Sequence, residues 1–338
     1  MSRPWKAGGL AVVIILALAL PQMLRGNDYW ISVAVVAAIM MLMVSSLRTV
    51  LLLNQISLGH VGFSALGAYG SALLMMRVGL PFWVTVPLGG LMAALLALVL
   101  SYPFLKVRGL YFSILTLLTA ETLRLTAYYW PSLTGGSWGL LEIPPPASIT
   151  LPGIGAVDFG TVDNYYYVAI PLVIICLALI YLIEHSHLSF KWQAIRDGDE
   201  LSKSVGINVM RYMVINFVIA CFFAGIAGAL FAHYQHSLAV DATSRFGVVM
   251  SIYMLLYLVV GGRKSFAGPI VGTVVMTLIT EFTRPVAEYQ PMMIGVIAIL
   301  VMLLMPEGLV ELPGRLVRWR KDRKRGALTA PVDPGETG

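Results

Sequence analysis

The chain holds 338 residues, of which 58% are hydrophobic and 12% charged. No soluble core of this chain length could hide so much apolar sequence, and the apolar runs are continuous rather than alternating, which selects membrane-spanning helices over a β-barrel. The net charge of +6 could suit nucleic acid, but its placement along the chain follows membrane topology instead, so nucleic acid is not an expected partner.

Ten apolar spans are predicted, at 8–24, 30–53, 58–76, 82–104, 109–129, 166–184, 213–236, 246–260, 267–283 and 290–307. The first follows Arg3 and Lys6 and resembles a signal peptide in length. No clear small-residue cleavage site precedes polar sequence, so it is read as a retained helix. Between the second and third spans, Asn54, Gln55, Ser57 and His60 place polar groups just before and within the glycine-rich "SLGHVGFSALGAYG". An irregular backbone there can line a cavity, which makes these four residues candidates for a translocation path. In the fifth span, Glu121 and Arg124 stand three apart on one helix face. Ionisable groups in a bilayer turn toward a bundle interior or a wet cavity. The pair either lines the path or holds helices together.

Residues 130–165 are rich in proline and glycine and contain no Lys or Arg, so they form a long loop outside the membrane. The segment 189–212 is the opposite case, a charged stretch between apolar runs. Asp199 can cap a helix, Glu200 suits its first turn, and Gly206 suits its end. Trp192 with Ile195, and Leu201 with Val205, give two short apolar faces. The acids Asp197, Asp199 and Glu200 disfavour a bed of anionic lipid, so this pair of short helices is expected to dock to another protein. In the seventh span Ala220, Ala224, Gly228 and Ala232 recur every fourth residue, a packing stripe.

Several chemistries find no support. "GGRKS" at 261–265 lacks the glycine spacing of a phosphate-binding loop. His185 with His187, and His233 with His236, sit at span ends without further ligands, where polar tips meet water. Cys176 and Cys221 lie inside apolar runs and behave as small hydrophobes. No catalytic constellation and no metal site are expected. The tail 311–338 begins basic, against anionic headgroups, and ends in Pro/Gly-rich sequence expected to be partly disordered.

With the N-terminus inside, alternating connections place eighteen Lys and Arg inside and four outside, with Arg124 within a span. That asymmetry orients both termini to the cytoplasm. The expected fold is therefore an all-α polytopic membrane protein of about ten helices. Residues 1–310 form its transmembrane domain, with 189–212 cytoplasmic and 130–165 periplasmic.

The segment "ELSKSVG", Glu200 to Gly206, resembles the E-A-A-x-x-x-G coupling segment of ABC-importer permeases. Leu201 and Ser202 replace the two alanines. The longer "AIRDGDELSKSVGINVMRY" is similar to the branched-chain amino-acid permease family. So are "SLGHVGFSALGAYG", "LKVRGLYFSILTL", "ETLR", "SLTGGSWGL", "FFAGIAGALFA", "GGRKSFAGPIVG" and "PEGL", in the family's order across roughly residues 50–310. The closest likeness is to its LivM-type branch.

The resemblance implies a permease subunit of an ATP-driven importer in the bacterial inner membrane, not an enzyme. It implies a homologous LivH-type permease, two ATPase subunits that bind the ATP and magnesium, and a periplasmic substrate-binding protein. It assigns Glu200, Leu201, Ser202 and Gly206 to the ATPase contact, with Arg196, Asp197 and Asp199 around them. Thr134, Gly135 and Gly136 are candidates for docking the binding protein, on their place in the outer loop. Branched-chain amino acids are the leading substrate. Urea, short amides and small aromatic or carboxylic acids are the alternatives within the family, and a self-sufficient ion-coupled transporter or channel is the alternative outside it.

Overall fold

The computed structural model describes residues 21–22, 27–151, 155–157, 159–239, 245–305 and 308–311. Except for residues 21, 22 and 311, the expected first span and the basic tail lie outside the described residues. The chain divides into two compact units, residues 1–257 and 258–338.

In the first unit, α1 (Asp28–Leu51), α2 (His60–Val78), α3 (Phe82–Leu105) and α4 (Leu110–Tyr128) follow one another with short links. After a short helix α5 (Pro131–Thr134) come α6 (Val162–Glu184), α7 (His187–Asp197), α8 (Asp199–Ser204) and α9 (Val209–Gln235). Helix α10 (Val248–Gly261) leads into the second unit, which holds α11 (Ala267–Thr283) and α12 (Gln290–Leu304). Every expected span from the second to the tenth falls on one of these helices. Five of them, α1, α2, α3, α6 and α9, are long and apolar enough to cross a membrane.

Among the described residues, strands occur only in the long loop, where β1 (Ile149–Leu151) and β2 (Gly155–Val157) pair antiparallel, with Thr150 opposite Ala156.

Helix α9 is the centre of the first unit, packed against α1, α2 and α3. Glycine makes this possible. A Cβ on Gly225 would meet Ala93 and the backbone of Gly89 and Gly90 in α3, and one on Gly67 would collide with the backbone of Gly225. One on Gly228 would collide with the carbonyl of Ser64 in α2. Three helix backbones therefore touch almost directly, which maximises van der Waals contact where water provides no driving force. The stripe of Ala220, Ala224, Gly228 and Ala232 is buried in this contact, as its spacing suggested.

Two ends of the first unit are distinguishable. Leu51, His60, Leu105, Leu110, Glu184 and Val209 bound one end, where Arg48, Lys106, Arg108, Lys191, Arg196, Lys203 and Arg211 also lie. The opposite end carries Arg77 and Arg245. The folded unit thus reproduces the charge asymmetry read from the linear chain.

At that opposite end the long loop is stitched to α9. Leu140 and Leu238 exchange backbone hydrogen bonds of 3.0 and 2.8 Å, and Ile143 N donates to the carbonyl of His236 at 3.0 Å. His233 is fully buried, not water-facing as expected, because Ser71 Oγ lies 2.9 Å from its Nε2 and the Pro144 carbonyl 3.2 Å from its Nδ1.

In the second unit, the "GGRKS" turn is a packing device. Gly308 has φ 88° and its absent Cβ leaves room for the backbone of Gly261 and Gly262, while Gly268 accommodates the Gly262 carbonyl.

A branched side chain at the α2–α3–α9 contact should be severe, with overpacking costing about 1–3 kcal/mol or more. Gly225→Val is expected to lower the unfolding temperature in detergent sharply. Gly295→Ala, on α12 with open space around its Cα, should leave it unchanged or slightly raised, as thermal melts of the two variants would show.

Candidate functional site

The segment from Glu184 to Val209 is built as a projecting pair of helices with one face plugged into the bundle. Ser186 caps α7, its Oγ accepting from Leu188 N at 3.2 Å. Trp192 and Ile195, one turn apart on α7, are buried with Phe63 of α2, Phe104 of α3, Phe112 of α4 and Phe217 of α9. Phe217 meets the other three rings edge-on at centroid distances of 5.5, 6.2 and 6.0 Å. Such pairs add about 0.5–1.5 kcal/mol each beyond burial. The indole Nε1 donates to the Tyr212 carbonyl at 3.0 Å, and Lys191 Nζ donates to the Tyr212 hydroxyl at 2.5 Å. One short helix is therefore fixed where four long ones meet.

Helix α8 begins differently from the sequence expectation. Gly198, in extended backbone, occupies the cap position, and Asp199 is the first helical residue. Its carboxylate is turned to Arg108, in the link between α3 and α4, and forms an ion pair with it. Asp199 therefore ties α8 to the bundle rather than capping it. The end of α8 matches expectation. Gly206 takes φ 82°, its N–H bonds to the Lys203 carbonyl at 3.0 Å, and Ile207 N bonds to the Ser202 carbonyl at 3.0 Å. This is the left-handed glycine termination that satisfies the last free carbonyls.

The two faces of α8 divide the sequence-derived residues. Ser202 is 2% exposed and faces its own chain, so it belongs to the seat of α8 with Asp199. Leu201 and Val205 are 73% and 69% exposed. Glu200 lies beside them, its carboxylate accepting from Lys203 Nζ at 2.7 Å; that ammonium holds Glu200 below the usual carboxylate range. Arg196 and Asp197 pair with each other at 3.1 Å, also on the surface. Phe190 on α7 is exposed as well, which the sequence analysis missed. The α7–α8 pair thus exposes Phe190, Leu201 and Val205 among charged residues. An apolar centre with a charged rim is the pattern of a protein contact.

The buried ion pair of Arg48 and Glu184 was also missed. Arg48 stands in the last turn of α1 and Glu184 ends α6, two residues before the cap of α7. Beside them Asn216 of α9, fully buried, donates from Nδ2 to the Thr49 carbonyl at 2.9 Å. The root of the projecting pair is thereby tied to α1, as its middle is tied to the α3–α4 link.

The four polar residues expected on a path lie at this same end. Residues 52–59 are irregular, and Asn54 has φ 57°. Asn54 and Gln55 line a pocket of about 150 Å³ together with Arg108, Arg196 and Asp199. Gln55, Ser57 and His60 are buried, with His60 Nε2 3.1 Å from Ser46 Oγ. The irregular link has its backbone satisfied by α4: Ser113 Oγ donates to the Ile56 carbonyl at 2.6 Å and Thr116 Oγ1 accepts from Leu58 N at 3.2 Å. These residues join α1, α2 and α4 beside the projecting helices.

Glu121 and Arg124 form a bidentate pair within α4, at 2.9 Å from Nε and 2.6 Å from Nη2. The residues expected to dock a binding protein are placed inward. Thr134 and Gly136 are buried, because Thr134 Oγ1 donates to the carbonyls of Ala127 and Trp130 at 2.5 and 2.8 Å. Gly135, at φ 77°, closes the turn against the Gly139 carbonyl. The outward residues here are Tyr129, Trp130 and Trp138.

A family model for the branched-chain amino acid transport system permease component matches residues 29–306. The chain is 30% identical, over 94% of its length and 78% of the relative's, to the high-affinity branched-chain amino acid transport system permease protein LivM of Escherichia coli K12. The same figures hold for LivM of Salmonella typhimurium. LivH of Salmonella typhimurium, a permease protein of the same transport system, is 23% identical over 78% of this chain and 87% of its own. No solved structure matches the chain.

Removing one member of the buried pair strands the other. Glu184→Ala should cost about 3–5 kcal/mol, and the double variant Arg48→Met with Glu184→Leu should recover most of that loss. Unfolding of both variants in detergent measures the difference.

Proposed function

The chain belongs to the branched-chain amino acid transport permease family, and from that premise we propose that it is the transmembrane permease subunit of an ATP-driven ABC importer for branched-chain or related amino acids. It is a multi-pass membrane protein and a transport component, not an enzyme. In this reading it sits in the bacterial inner membrane with about ten helices and both termini in the cytoplasm. The basic end of the first unit faces inward, as the positive-inside rule requires.

The observation that carries the proposal is the projecting α7–α8 pair, anchored by Trp192 and Ile195 and presenting Leu201, Val205 and Glu200 outward. A separate ATPase subunit, holding ATP and magnesium, docks on that face. Its closure moves α8. Asp199 carries the motion through Arg108 to the α3–α4 link, Trp192 carries it to α9, and Glu184 carries it through Arg48 to α1. Rigid helices then rock between inward and outward openings. A LivH-type permease completes the path, and a periplasmic binding protein delivers substrate to the opposite end, where Trp130 and Trp138 are exposed.

The test is reconstitution in liposomes with the second permease, two ATPase subunits and the binding protein. The complete complex should accumulate branched-chain amino acid with ATP. Leu201→Asp, which alters only an exposed side chain, should leave insertion and pairing with the second permease intact but weaken ATPase docking and lower uptake by about tenfold or more, the scale of an interface anchor. Ion-driven uptake by this chain alone would overturn the proposal, and ATP-driven uptake of urea or amides in place of amino acids would correct its substrate.

A further inference from the structure

Helix α4 is long enough to span a membrane, at 19 residues, yet it is not among the five helices apolar enough to do so surrounded by lipid. Only Phe112, Ser113, Thr116 and Ala120 of it are buried, on the side packed against α2. Its other side forms one stripe, with Leu118, Glu121, Thr122 and Leu125 on successive turns. The Glu121 side chain is 34% exposed and that of Arg124 11%. Leu118 and Leu125, one turn to either side, are 58% and 37% exposed. The hydroxyls of Thr122 and Thr126 lie on exposed residues of the same helix, each donating back to the carbonyl four residues earlier, at 2.8 and 2.7 Å, which leaves their lone pairs available.

A half-exposed carboxylate inside a membrane helix is not compatible with lipid hydrocarbon. It needs a protein partner or water. The bidentate bonds to Arg124 orient it but lie within one helix, so they do not remove the exposed edge. A carboxylate with leucines one turn to either side, on a wall reached by water, is complementary to a cation that carries an apolar group, as the ammonium of an aliphatic amino acid does.

Building on the permease reading, we propose that this stripe of α4 lines the water-filled path and that Glu121 receives the ammonium group of the transported amino acid. Arg124 is a positioning residue that fixes the carboxylate. Leu118 and Leu125 provide the surface along which the substrate's aliphatic side chain passes. The pairing is transient, since substrate must leave as readily as it enters.

Two measurements on the complete reconstituted transporter test this. In a background with Cys176 and Cys221 replaced by alanine, Thr122→Cys should react with a membrane-impermeant cationic thiol reagent, and more slowly while leucine is being transported. No reaction in a complex that transports would place the stripe against lipid or a dry interface and overturn the proposal. Glu121→Gln should lower leucine uptake by about tenfold, the loss of a charge-assisted hydrogen bond, while binding-protein-stimulated ATP hydrolysis persists. Glu121→Asp should recover part of it. Unchanged uptake in Glu121→Gln, or equal loss in both variants, would overturn it. Failure of the permease reading itself shows separately, as absence of ATP-driven uptake by the unsubstituted complex.

Discussion

Trp192 is the point on which the first unit turns. A surface helix of eleven residues has little stability of its own. Buried in one apolar cluster with Phe63, Phe104, Phe112 and Phe217, and bonded through its indole to the Tyr212 carbonyl, it becomes continuous with the core of the unit. The two ion pairs add directions to that connection. Arg108 with Asp199 grips α8, and Arg48 with Glu184 grips the root of α7. A loosely tethered loop with the same charges would bend under load and transmit nothing.

The same unit shows how a bilayer protein places polarity. Buried Arg48 is answered by Glu184, Asn216 by a backbone carbonyl, and His233 by Ser71 and Pro144. Glycine provides the complement, bringing α2, α3 and α9 to backbone contact at Gly67, Gly89 and Gly225. Tight glycine packing near the middle and paired polarity toward the ends make a body that can rotate as one piece. Glu121 on α4 differs in being about a third exposed along a membrane-length helix, and that exposure is what points to a path.

Much of this was legible in the chain itself. Apolar runs of bilayer length have one folded solution, so each span expected between 30–53 and 290–307 falls on a helix. The glycine that ends α8 follows from its left-handed backbone, which few other residues adopt. What could not be read was direction. Ser202 and Leu201 are neighbours, and only the seating of α7 decides that one is buried and the other exposed. Thr134 and Gly136 look like loop surface until the hydroxyl is seen closing the turn. Arg48 and Glu184 are 136 positions apart, and each alone reads as an interfacial charge. Gly198 displaced Asp199 from the cap because Arg108, distant in sequence, offered the carboxylate a better partner. The link before His60 has the irregular backbone that its polar and glycine-rich sequence suggested, and its burial against α4 is what the sequence did not reveal.

The central claim is that an ATPase subunit grips the outer face of α8. A photoreactive amino acid at Leu201, in the complete transporter, tests that contact directly. Illumination should join this chain to the ATPase subunit, and the yield should change when ATP is bound. Adducts only with lipid or with the second permease would contradict the account.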